Sequence, residues 1–359
     1  MCNIIRFYTK VYNIIHFNRW GIGRYEKDVL LKKLLKELKI SYNKFTVDSQ
    51  FSKVWKTRCD MVQVIKLLKS EYQKQKVNAT FKKFALSKID KKLYDCFRKS
   101  NAYSDFENED VFEVLYHYGL DDNINGWIGM SIDWNLLLTK LSENIGVSNI
   151  KLKCSVNKIN SNSNFEIFTN KEKYTGNKIY IAADIDTIKK LLITPECKKI
   201  YKQIHGQPFL RIYGKFSGES KKIMNDYLEK TTIVETLLYR IIPIDKIKGV
   251  YMITYTDNIG ADYVYSLIKN DKNYIKLENL LKKSLGILND FNLIIDDIVA
   301  YYWKCGTHYY EPLDKTFSSR IKFINKAQKP EKNIFVVGEA VSIQQGWVEG
   351  AVFSVNKIL

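Results

Sequence analysis

Histidine, arginine, proline and paired cysteines are all scarce in this sequence, and each shortage removes a class of function. The four histidines, His16, His117, His205 and His308, show no paired spacing, and the six cysteines, Cys2, Cys59, Cys96, Cys154, Cys197 and Cys305, include no CxxC knuckle. A zinc or other metal site is therefore not expected. Six scattered cysteines do not make a disulfide framework either; they read as reduced thiols of a cytoplasmic protein. No apolar run reaches the ~18 residues of a membrane span. The first ten residues, MCNIIRFYTK, have neither a basic-then-apolar signal pattern nor a small-residue cleavage site. The expectation is a soluble chain with no membrane partner. With 359 residues, 45% of them hydrophobic, there is ample material for a large core or for two domains.

Negative charge is outnumbered. The formal net charge is +18, which raises nucleic acid as a partner. Yet of the 57 basic residues only eight are arginine, at 6, 19, 24, 58, 98, 211, 240 and 320. Arginine supplies the forked contact to guanine and phosphate, whereas lysine is a point charge. The lysines are spread along the chain among Asn, Ile and Tyr, as an AT-rich coding sequence would leave them. No nucleic-acid partner is expected.

The periodicity falls into three stretches. Residues 5–19 alternate like a strand or hairpin. Residues 27–40, KDVLLKKLLKELKI, place leucines on one face and lysines opposite, an amphipathic helix. Residues 60–120 read as mostly helical with weak punctuation, and 121–126 as a loop. A second amphipathic helix follows in DWNLLLTKLSENIG, at 133–146. Short strands come next: KLKCSVNKI, FEIFTN, KIYIAAD, FLRIYGKF, LLYRIIPI and GVYMITYTD. A helix is expected near 273–287. After VAYYWKCGTHYYEP comes what reads as a polar linker, then the buried-type strand NIFVVGEA and a glycine-opened last helix at GWVEGA.

That last segment is the most informative. An apolar strand ending in Gly338 and Glu339 is a place where a ligand can approach the backbone. The helix opened by Gly346 offers free N–H groups and the positive end of its dipole. A competing reading takes NIIHF–GIG–helix as a dinucleotide-binding start, with Asp48 as the ribose acid.

The GEA…GWVEGA segment strongly resembles the C-terminal flavin-binding motif of the flavin-dependent amine oxidases, the family of monoamine, polyamine and L-amino acid oxidases. The likeness extends over nearly the whole chain. Gly21-Ile22-Gly23-Arg24 with its leucine helix is similar to the segment after the first flavin contact, and this places Gly21 away from a dinucleotide-binding start. KLKCSVNKI with KIYIAAD, Leu238 to Asp257, and Trp303 to Tyr310 are similar to three further stretches. The resemblance implies an α/β FAD-binding domain from 1–50, 125–190 and 325–359, and an α+β substrate domain from 51–124 and 191–324.

It also implies roles. FAD contacts fall to Arg6, Gly21, Gly23, Val156, Gly338, Glu339, Gly346, Trp347, Val348 and Ala351. Trp347 matches one wall of an aromatic cage, and with Trp303 and Arg211 makes the candidate catalytic set. Arg211 is the nearest basic residue where many members carry a lysine on a substrate-domain strand. Arg24 matches the arginine that clamps a substrate carboxylate in L-amino acid oxidases, a job suited to its planar fork. FAD is expected to be non-covalent, because 340–345 contains no cysteine. The expected activity is hydride transfer from the carbon beside an amine or amino acid nitrogen to flavin. The family's opening strand, GxGxxG turn and helix have no counterpart before Arg6, so the implied fold lacks its first βαβ unit. A decayed homologue serving as a binding or structural protein is the alternative.

Overall fold

The computed structural model describes residues 22–56, 59–120, 126–161, 164–269, 274–288 and 290–359. The strand or hairpin expected at 5–19 lies outside the described residues, as do Arg6, Gly21 and most of the 121–126 loop. The chain divides into two units, one ending its first segment at Val47 and continuing with Trp127–Ile204 and Asp314–Leu359, the other made of Asp48–Gly126 and His205–Leu313. The chain thus changes unit after 47, 126, 204 and 313; the sequence reading placed these changes after 50, 124, 190 and 324.

In a chain with five prolines, helix starts are marked by short polar side chains. Asp60 opens Met61–Lys74 by accepting from Gln63 N–H, Thr80 opens Phe81–Lys88, Asp90 opens Lys91–Asn101, and Asp110 opens Val111–Tyr116. Asp133, Asp184, Thr194 and Ser319 do the same for Trp134–Ile145, Ile185–Leu191, Pro195–Tyr201 and Arg320–Gln328. Each side-chain oxygen takes one of the orphan N–H groups of the first turn, worth about 1 kcal/mol. These caps are the punctuation that the 60–120 stretch only seemed to lack.

Within the first unit, Gly23–Arg24, Trp127–Ile132 and Tyr42–Val47 form an antiparallel sheet with 127–132 in the middle. The helix Val29–Glu37 buries Leu31 and Leu35 against Met130, Ile132 and Leu137. Ile179–Ile181 and Ile334–Val336 pair in parallel, with Tyr180 and Phe335 stacked at 4.9 Å. Val156–Ser161, Phe165–Thr169 and Lys173–Gly176 make a three-stranded meander. Two expectations need correction here. The strand predicted from Lys151 begins only at Val156. The polar linker after residue 312 contains the helix Arg320–Gln328, whose Phe323, Ile324, Ala327 and Gln328 are buried at helical spacing.

The second unit is built on a six-stranded sheet in the order Asp297–Tyr310, Ile204–Lys215, Val250–Asp257, Arg240–Asp245, Thr231–Ile233, Ser49–Phe51. Leu210, Ile212 and Ile253 point to one face. They pack with Leu277, Leu281 and Val264 from the helices Ile275–Leu285 and Asn258–Lys269. Helices between 61 and 116 form a separate core rich in phenylalanine, including Phe81, Phe97 and Phe106.

A polar latch fastens the turn between the 91–101 and 111–116 helices to the sheet. The Asp257 carboxylate, fully buried, accepts from Ser104 N–H at 2.8 Å, Ser104 Oγ at 2.7 Å and Asp105 N–H at 2.8 Å. Tyr118 donates its hydroxyl to Asp105. Burial, then the Asp257 charge, push the Asp105 carboxyl up to about 8. The folded chain therefore holds a proton that the unfolded chain gives up near pH 4. Stability from this group is complete below that pH and is lost as pH climbs to about 8. The melting temperature is expected to fall across that interval, and Asp105→Asn to flatten the fall. A scan of melting temperature against pH on both proteins checks this; an unchanged slope in Asp105→Asn refutes it.

Candidate functional site

The strand Ile334–Val336 runs out through Val337 into Gly338 at φ +120°, a conformation open to glycine and strained for other residues. A side chain added at Gly338 would meet no atom of the described residues within 4 Å, so among them its backbone has an open flank. Its N–H donates to Ser354 Oγ at 2.7 Å, tying the turn to the last helix. The Glu339 carboxylate reaches forward to the Gly346 N–H at 2.8 Å, closing the 339–346 loop. Gly346 is also at positive φ, +76°. Trp347 is the N-cap of the helix Val348–Asn356 and makes no side-chain capping bond. Val348 and Ala351 lie in its first turns. Gly350 lets that helix press on its own entry loop, since an added Cβ would stand 2.0 Å from the Gln344 carbonyl oxygen.

Glu349 holds this helix to the 29–37 helix. Its carboxylate is 6% exposed and accepts from Leu30 N–H at 2.8 Å and Leu31 N–H at 2.9 Å. It thus caps the 29–37 helix from more than three hundred residues away and complements its dipole. Asp28, at the N-cap position itself, turns the other way. It accepts from Arg24 N–H at 2.7 Å and Arg24 Nε at 2.9 Å, and pairs with Nη2 at 2.8 Å. Burial pushes the Asp28 carboxyl above its usual range and the Glu349 charge adds to this, while the bonds from Arg24 oppose it.

The Arg24 guanidinium lies over Trp347, 3.9 Å from the ring centre, with Nη2 at 3.5 Å from Gln344 Oε1. The carboxylate that Arg24 holds here is that of Asp28, and its guanidinium covers one face of the Trp347 indole. Gly23, expected at the cofactor, is buried in its strand, where an added Cβ would collide with Met130 Cε at 2.6 Å. Its observed role is close packing. Val156 begins the meander, paired with Thr169. Asp48 lies in the second unit and pairs with Lys230 at 2.6 Å, so it is not the ribose acid of a dinucleotide-binding start.

The second unit carries the other two catalytic candidates together. Arg211, on the 204–215 strand, donates from Nη2 to the Tyr255 hydroxyl at 3.1 Å. Its guanidinium sits 4.4 Å from the Tyr255 ring centre and 5.8 Å from that of Trp303. Trp303 stacks on Tyr301 at 5.9 Å, Tyr301 meets Tyr213 edge-on at 6.1 Å, and Tyr103 meets Tyr255 edge-on at 5.5 Å. This is the sheet face opposite Leu210 and Ile212: a cation set among aromatic rings, able to hold a flat or apolar group and to exclude water. Trp347 belongs to the first unit. The sequence reading missed Tyr255, Tyr213 and Tyr103; the period-2 alternation in VYMITYTD and FLRIYGKF was the available signal for the first two.

No protein-family model matches the chain. Among curated proteins, an uncharacterized protein of Acanthamoeba polyphaga mimivirus is 22% identical over 244 residues, 55% of this chain and 47% of that protein. The match thus takes in about half the length of that relative. Among solved structures, a putrescine oxidase double mutant redesigned for cofactor binding superposes with a TM-score of 0.70 at 11% identity, covering 94% of this chain and 85% of that one. Cyclohexylamine oxidase from Brevibacterium oxydans gives 0.69 at 11% identity with the same coverage. Wild-type putrescine oxidase bound to putrescine gives 0.68 at 10% identity, over 94% and 86% of the two chains. The likeness is one of fold: a mixed α/β chain with the fold of the flavin-dependent amine oxidases.

The Glu349 cap yields a direct expectation. Glu349→Ala removes two charge-assisted bonds and leaves two buried N–H groups unpaired, so it should cost roughly 2–4 kcal/mol in urea unfolding. Glu349→Gln retains one acceptor oxygen and should cost about half as much. A loss below about 0.5 kcal/mol for the alanine variant would contradict the capping role.

Proposed function

We propose that this chain is a flavin-dependent amine oxidoreductase whose first unit holds FAD and whose second unit takes the amine. The observation that carries this reading is the C-terminal turn. Gly338, at φ +120° with an open flank among the described residues, leads through the loop closed by Glu339 on Gly346 to a helix whose N-cap residue Trp347 makes no side-chain capping bond. Such a turn fits a dinucleotide cofactor at the carboxyl end of a parallel strand, and the shared fold supports it. Gly338, Glu339 and the 346–351 segment are the residues that would hold FAD, bound non-covalently, with the Trp347 face not covered by Arg24 left for the ligand side. Bound there, FAD would supply the hydride acceptor for the carbon beside the nitrogen, leaving an imine for water to hydrolyse.

The chain's own side chains do the rest. The rings of Trp303, Tyr301 and Tyr255 offer a low-dielectric wall. Desolvation there disfavours an ammonium and so favours the neutral amine, the form able to release hydride. Arg24 and Asp28 hold Trp347 in one orientation. Arg211 fixes the pose of the substrate from the aromatic face.

A second reading, a catalytically silent homologue used for binding, has its own support: the parallel sheet of the first unit has two strands among the described residues. One experiment separates the two. The purified chain is incubated with FAD, passed through a gel-filtration column and examined for the flavin double band. The enzyme reading expects a retained band, its loss in Gly338→Val at unchanged far-ultraviolet circular dichroism, and anaerobic bleaching by amines. No retained flavin in the parent chain selects the silent reading.

A further inference from the structure

Cys305 lies on the Asp297–Tyr310 strand with its Sγ 3.2 Å from Nε2 of His308. The imidazole is 9% exposed, so its ring cannot swing out into water, while the thiol is only half-buried. The stretch between them has little room to shift: a Cβ at Gly306 would stand 2.7 Å from Phe209 Cβ on the neighbouring strand.

Of the four other described thiols, Cys96 is buried at 5% exposure, and the remaining three have different surroundings from Cys305. Cys59 contacts Ser100 Oγ at 3.6 Å, and burial pushes its thiol up to about 12. Cys197 is buried, donates to Glu331 at 3.4 Å and is pushed up to about 11, again by burial. Cys154 is half-buried like Cys305 but lies beside the Tyr174 hydroxyl at 3.8 Å. Among the described residues, Cys305 is the thiol whose recorded hydrogen-bond partner is an imidazole.

We propose that Cys305 and His308 form a nucleophile–base pair that makes Cys305 a modification site for small soft electrophiles, hydroperoxides in particular. In the tautomer protonated at Nδ1, His308 Nε2 accepts the thiol hydrogen and can take that proton as the sulfur attacks. With a hydroperoxide, a sulfur–oxygen bond forms and the oxygen–oxygen bond breaks. The departing oxyanion takes the proton from Nε2 and leaves as water from hydrogen peroxide, or as an alcohol from an organic hydroperoxide. The sulfur is oxidised to a sulfenic acid and the peroxide is the oxidant consumed. With a haloacetamide, a sulfur–carbon bond replaces the carbon–halogen bond and halide leaves. The fixed geometry, and not exposure alone, sets Cys305 apart from Cys154. The site stands independently of the flavin reading, since its reactivity needs neither cofactor nor amine.

A short iodoacetamide pulse on the intact chain, followed by peptide mass spectrometry, tests this. Cys305 is expected to be alkylated at least about tenfold faster than Cys154, a threshold set below the roughly 100-fold low end of what a positioned base contributes. His308→Gln is expected to bring it down to the Cys154 rate. With hydrogen peroxide and dimedone, the first sulfenic adduct is expected on Cys305. If Cys305 in the parent chain reacts no faster than Cys154, the proposal fails, whether or not the variant folds. A folded His308→Gln chain that still labels at the parent rate overturns it as well, because exposure would then explain the reactivity.

Discussion

The first unit depends on a carboxylate that closes a helix belonging to a distant part of the chain. The 29–37 helix begins after Asp28, the residue type best suited to cap it, yet Asp28 spends both oxygens on Arg24. The vacancy at Leu30 and Leu31 is filled by Glu349. Two buried acids and one buried base are thereby arranged so that each oxygen has a donor. A lone buried carboxylate would cost several kcal/mol, and removing one partner strands the other. The Trp347 orientation, the start of the last helix and the packing of Leu31 and Leu35 all follow from that arrangement.

Much of the fold was legible. The leucine stripe of the 29–37 helix, the strands flanking Arg211 and the C-terminal strand–turn–helix follow from periodicity and glycine placement, and the resemblance in GEA…GWVEGA named the fold that the solved structures share. What escaped had physical reasons. The Arg320–Gln328 helix hides because Lys, Asn and Gln outnumber its buried Phe323, Ile324 and Ala327. Its Ser319 cap was the only local sign. The edge between loop and strand at 151–156 escaped because lysine, leucine and cysteine alternate there without being buried.

The site was legible in kind but less so in contact. Composition cannot tell whether an arginine faces a ligand or a neighbouring acid. Arg24 and Asp28 stand at i and i+4, a spacing that announces an ion pair only once the backbone between them is known to turn. Gly23 shows the converse limit: a glycine wanted for close packing against Met130 reads the same as one wanted for a cofactor. Arg211 and Trp303 do come together, because alternate residues of neighbouring strands share a face.

The division of the chain into segments has a consequence for biosynthesis. The second unit has all of its residues once Leu313 has been made. The first unit cannot cap its leading helix until Glu349 leaves the ribosome, long after Leu30 and Leu31 have emerged. At about 5–20 residues per second, that helix waits on the order of a quarter to a full minute with its first turn open and its leucines exposed. The sheet-based unit can settle during that interval. The nascent first unit is thus the part with most reason to engage a chaperone.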